Sequence, residues 1–64
     1  MKILADNLNT APRHRLQLRE ITDAQRTWYA VIRIMPDHQE ITIAQAETRR
    51  AAWRLLRQAA AARP

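Results

Sequence analysis

The chain has 64 residues, with eleven Lys and Arg against six Asp and Glu, a formal charge of +5, two histidines, and neither cysteine nor glycine. That length makes one domain burying only about 60% of the surface its unfolded form exposes, and the lack of cysteine excludes a disulfide to reinforce it, so a partner or a second copy is expected to help. No stretch approaches the roughly 20 apolar residues that cross a bilayer, and the arginine excess favours polyanionic partners such as nucleic acid, an acidic protein or anionic lipid.

Residues 1–12 mix apolar and turn-forming types (Asp6, Asn7, Asn9, Thr10, Pro12) without a sustained period, and read as an N-terminal arm or short edge segment. Nothing there has the apolar core of an export signal. From Arg13 the chain alternates. Leu16 and Leu18 share one side of an extended segment, and Arg13, Arg15, Gln17 and Arg19 share the other. After a polar break at Asp23-Ala24-Gln25, the run from Thr27 to Met35 is rich in β-branched and aromatic residues, as strands are. It offers Trp28, Ala30, Ile32 and Ile34 to one side and Tyr29, Val31, Arg33 and Met35 to the other. Pro36-Asp37-His38-Gln39 has the composition of a type I turn, in which proline presets the second position. Glu40-Ile41-Thr42-Ile43-Ala44 then alternates again, with Ile41 and Ile43 inward and Glu40 and Thr42 outward. Thr48 is a good N-cap for a helix over residues 49–62. Its buried stripe is Ala52, Leu55, Leu56 and Ala59, with Trp53 covering the end of the core. Arg50, Arg54 and Arg57 lie on the opposite side, a solvated face or a surface for lipid or RNA.

The expected fold is therefore α+β, a three-stranded antiparallel meander packed on one C-terminal helix (βββα), spanning residues 13–64 behind the arm of residues 1–12. Placing the helix over Leu16, Leu18, Trp28, Ala30, Ile32, Ile34, Ile41 and Ile43 leaves the other sheet face open, with Arg13, Arg15, Gln17, Arg19, Tyr29, Val31, Arg33 and Thr42 upon it. Planar guanidinium forks in such an array match phosphates and guanine edges, and sheets can enter the major groove.

The run Trp28-Tyr29-Ala30-Val31-Ile32-Arg33, the return Ile41-Thr42-Ile43-Ala44, then Glu47-Thr48-Arg49-Arg50-Ala51-Ala52-Trp53 and Ala59-Ala60 resembles the Apetala/ethylene-response-factor type of DNA-binding domain. It is also similar to the arm-binding N-terminal domain of phage and transposon tyrosine integrases. The resemblance covers about residues 13–62 and implies a sheet laid in the major groove with the helix behind it. It implies DNA contacts from Arg33, from Arg15 and Arg19, and an outward Thr42. Where those families carry a glycine after the third strand this chain has Ala44. Nucleic-acid-binding residues are thus expected at Arg13, Arg15, Gln17, Arg19, Tyr29, Arg33 and Thr42, in a small basic DNA-binding protein of mobile-element type. On that docking Arg54, behind the sheet, matters less.

The alternative reading is a phage-type inhibitor or adaptor that sets the same sheet face or edge against an acidic protein target. Tyr29, Val31 and Met35 among arginines have the composition of an interface, and a homodimer is a further possibility. Likeness of residues 29–32 to HicB-type antitoxins lacks the glycine-rich middle of those chains. Catalysis needs a nucleophile with a positioned base or metal in a pocket. His14 and His38 have no ligand set around them, so no enzyme activity, metal or cofactor is expected. The absence of cysteine agrees with a reducing compartment, and the cytoplasm is the expected location.

Overall fold

The computed structural model describes residues 1–11 and 14–61, and of residues 7–11 and 14 the backbone alone. Four strands, β1 (Lys2–Ala11), β2 (His14–Thr22), β3 (Thr27–Ile34) and β4 (Glu40–Ala46), precede one helix, α1 (Arg49–Ala61). They form a single antiparallel sheet in the order β1-β2-β3-β4. The α+β class is as expected, but the sheet has four strands, not three. The segment expected as an arm or short edge segment is an edge strand, paired with β2 from Lys2 opposite Glu20 to Ala11 opposite His14. Three register shifts interrupt that pairing, which explains why no steady alternation marks it in the sequence.

Two short connections set the register of the rest. Between β2 and β3, the Asp23 carboxylate accepts from the amides of Gln25 (2.9 Å) and Arg26 (3.2 Å), and the Asp23 amide donates to the Arg26 carbonyl. This local bonding is what Asp offers a turn. Between β3 and β4, the His38 amide donates to the Met35 carbonyl and the Met35 amide to the Gln39 carbonyl. That is a turn with Pro36 second, followed by His38 at a φ of 68°. A type I turn ending in one left-handed residue is a usual three-residue hairpin loop. Here a histidine occupies the place glycine would take.

The helix begins as expected. The Thr48 hydroxyl accepts from the Ala51 amide at 3.2 Å and its carbonyl from the Ala52 amide at 3.0 Å. Ala52 and Leu56 are buried against Leu16, Leu18 and Val31, with Trp53, Leu55, Ala59 and Ala60 packed around them. Small residues on both sides, Ala44 and Ala46 from the sheet and Ala52, Ala59 and Ala60 from the helix, let the two layers approach closely.

The faces of β3 are the reverse of those expected. β2 and β3 pair so that Leu18 is opposite Val31, Leu16 opposite Arg33, and Glu20 opposite Tyr29. Directly opposed residues share a face, so Tyr29, Val31 and Arg33 stand on the helix side. Trp28, Ala30, Ile32 and Ile34 stand on the other. In β4, Ile41 is opposite Arg33, on the helix side, yet stays 45% exposed. Ile43 falls between the partners of Val31 and Ile32 and is 36% exposed. Neither isoleucine is in the core, contrary to expectation. The bulge at Ile43 shifts the alternation so that Ala44 and Ala46 meet the helix instead.

Candidate nucleic-acid interface

The sheet face away from the helix carries Arg15, Gln17 and Arg19 from β2, as expected, and Thr42 opposite Ile32. Arg33 and Tyr29 are not on it, so the seven candidate residues do not form one array. Arg13 lies outside the described residues. The Tyr29 hydroxyl donates to Glu20 Oε1 at 3.4 Å, and Arg49 approaches the same oxygen at 3.9 Å. The phenol is thus engaged on the helix side.

Of the two described arginines of the sheet face, Arg19 is covered and Arg15, 43% exposed, is paired with an acid. Arg19 donates from Nη1 and Nη2 to the two oxygens of Glu40 at 2.9 and 2.8 Å, and from Nε to Gln17 Oε1 at 2.7 Å. Its side chain is only 11% exposed. Arg19 sits opposite Ala30, whereas Glu40 sits opposite Ile34. The side chain therefore runs diagonally over the row holding Gln17 and Ile32. That path accounts for the burial of Gln17, Ala30 and Ile32 on a face no helix covers. The Glu40 hydrogen bonds raise the Arg19 pKa above its ordinary value, and the same contact holds the Glu40 carboxyl below its own. Arg15 pairs with Asp6 of β1 at 3.1 Å. The pairing acids stand on other strands, Asp6 on the adjacent β1 and Glu40 two strands away on β4, and only the register discloses them.

Among the described residues Lys2, Arg26, Arg33, Arg50, Arg54 and Arg57 form no ion pair, and three of these six stand together on the helix. Arg50, Arg54 and Arg57 are all exposed, at the spacing that places side chains on one face, and α1 contains no acidic residue. The row extends about 10 Å along the axis at 1.5 Å per residue. Two of the helix's arginines, Arg49 and Arg50, occupy the first turn, where the partial positive charge of a helix N-terminus disfavours cations. Arg26 lies apart, with its guanidinium carbon 4.7 Å from the centre of the Trp28 ring. Arg26, Trp28, Gln45, Ala46 and Glu47 line a shallow cleft of about 170 Å³, smaller than the roughly 300–1,000 Å³ of most ligand pockets.

Among the described residues no three His, Cys, Asp or Glu side chains gather as metal ligands would, and no helix is long and apolar enough to cross a membrane. No family model, curated protein or solved structure matches the chain.

Proposed function

We propose that this protein binds nucleic acid through its phosphate backbone, and that the contact surface is the outer side of α1 rather than the sheet. The observation that carries the reading is the contrast between two sets of arginines. Arg15 and Arg19 are neutralised by Asp6 and Glu40, while Arg50, Arg54 and Arg57 are exposed with no acid on their helix. Arg50 in the first turn works against the helix dipole, an unfavourable placement that a bound anion reverses. Guanidinium forks suit phosphate oxygens better than ammonium groups do. Such binding reads backbone charge and carries little sequence information.

The test is anisotropy of a labelled DNA duplex titrated with protein over a series of salt concentrations. Each phosphate neutralised contributes about 0.9 to the slope of log affinity against log salt. The triple variant Arg50→Ala, Arg54→Ala, Arg57→Ala is expected to reduce that slope by about 2 to 3 and to keep its circular dichroism. Arg15→Ala, on the sheet face, is expected to leave the slope in place. The reading fails if the helix variant binds like the wild type, or if the sheet variant alone loses the salt dependence.

A further inference from the structure

The strand order leaves two edges, β1 and β4, and they are not alike. The β1 pairing is broken by three register shifts, irregularity of the kind that protects an edge from further pairing. β4 has one bulge and shows Ile41 and Ile43 to solvent, 45% and 36% exposed. Among the described residues no strand pairs with its outer side. A sheet edge presents a row of unpaired backbone donors and acceptors and is a template for another strand.

Charge does not bar a second copy from this edge. A second copy brings another +5 and is repelled wherever free arginines face each other. β4 has a single ionised side chain, Glu40, held by Arg19 at 2.8 Å, and its other residues, Ile41, Thr42, Ile43, Ala44, Gln45 and Ala46, are uncharged. It is a side along which two copies meet without opposing charges. The molecule also has reason to associate, since its buried apolar residues are only Leu16, Leu18, Ala30, Val31, Ile32, Ala52 and Leu56 among those described.

We propose that two copies pair β4 against β4, antiparallel, about a two-fold axis normal to the sheet. The two four-stranded sheets become one of eight strands, and both helices stand on the same face. A seven-residue edge, at about 3.3 Å per residue and roughly 10 Å thick, brings on the order of 500 Å² together. That is below the ~1,200 Å² of stable complexes, so the dimer is weak and depends on concentration.

Sedimentation equilibrium of nuclease-treated protein at high salt, over a concentration series, tests it. The mass is expected to climb from 7.5 kDa toward twice that value, with hydrogen exchange of the β4 amides slowing in step. Ile41→Lys with Ile43→Lys is expected to hold the mass at the monomer value with circular dichroism unchanged. Ile3→Lys, on the other edge and 47% exposed in the parent, is expected to leave association intact. Wild-type protein that stays monomeric at every concentration overturns the proposal, and so does protection that grows in β1 instead of β4. If the double lysine variant unfolds, the exchange measurement on the wild type decides alone. The samples contain no nucleic acid, so failure here leaves the arginine reading of α1 untouched.

Discussion

Arg19 is worth more to this protein as a cover than as a charge. Its stem crosses the Gln17 and Ile32 row and its fork closes on Glu40, so it helps to bury Gln17, Ala30 and Ile32 on a face without a helix, as arginine stems often do. Truncation separates the two roles. Arg19→Ala exposes Ile32 and lets water replace the 2.7 Å donor to Gln17, 3% exposed in the parent. Arg19→Met keeps the cover but leaves Gln17 without that donor, and an unsatisfied buried polar group costs about 1–3 kcal/mol; both variants are expected to lower the urea midpoint, and the difference between them weighs the cover against the bonds. Acid offers a second probe. The hydrogen bonds from Arg19 lower the Glu40 pKa, and the Gln25 amide lowers that of Asp23 against an opposing effect of burial, with the Arg26 amide adding a smaller lowering. Both carboxylates bind protons more weakly folded than unfolded. Their stabilisation is complete above the ordinary carboxylate range and is lost as pH falls through the lowered values. Urea midpoints measured from pH 7 downward are expected to hold and then drop through the carboxylate range and below it. Glu40→Gln is expected to flatten part of that drop, and an unchanged profile would remove Glu40 from the account.

At the scale of elements, loop length decided what composition could not. The hydrophobic alternation of β3 ranks Trp28, Ala30, Ile32 and Ile34 above Tyr29, Val31 and Arg33 as the helix-facing set. The loop of residues 23–26 instead pairs even-numbered residues of β2 with odd-numbered ones of β3. Once Leu16 and Leu18 face the helix, Val31 must follow. The sequence marks only a three-residue break, Asp23-Ala24-Gln25; Arg26 as a fourth loop residue reverses the faces, and the bulge at Ile43 and the shifts in β1 likewise have no local signal without glycine. The helix, its Thr48 cap and its Ala52 and Leu56 stripe were legible because capping and a 3.6-residue period are properties of the segment itself. The candidate site was legible only as a list of arginines. Which of them are free depends on Asp6 and Glu40, acids that the register brings across strands. The β3–β4 loop supplies a test of these local rules. His38 at a φ of 68° pays the left-handed penalty of about 1–2 kcal/mol, and glycine removes it while costing about 0.4–1 kcal/mol through the unfolded chain. His38→Gly is expected to stabilise by about 0.5 kcal/mol, or roughly 2–4 °C in Tm for a domain of this size. A lower Tm would show that the histidine side chain supports the loop. Thr48→Ala is expected to cost about 1 kcal/mol through the lost cap.

For the whole molecule, a slab with extents of 37 × 23 × 15 Å has little interior, and the same arginines that suit it to a polyanion weaken it when alone. Arg50 shows the conflict in one position. Arg50→Glu places an acid in the first turn, where the helix dipole favours it by about 0.3–1 kcal/mol, so this variant is expected to melt higher than wild type while binding duplex DNA more weakly. A gain of stability coupled to a loss of binding is the signature of a residue kept for its ligand. The ligand should then restore to the wild type what the charge removes. A duplex in excess at about 100 times its dissociation constant stabilises the folded form by roughly 2.7 kcal/mol, which in a domain this small raises Tm by about 10–20 °C. Added salt is expected to erase the shift as counterions compete for the phosphates. The Arg50→Glu protein should show a smaller shift at the same duplex concentration, beginning from a higher Tm. Equal shifts for the two proteins would mean that the nucleic acid sits elsewhere, with Arg26, Arg33 and Lys2 as the remaining described cations outside ion pairs.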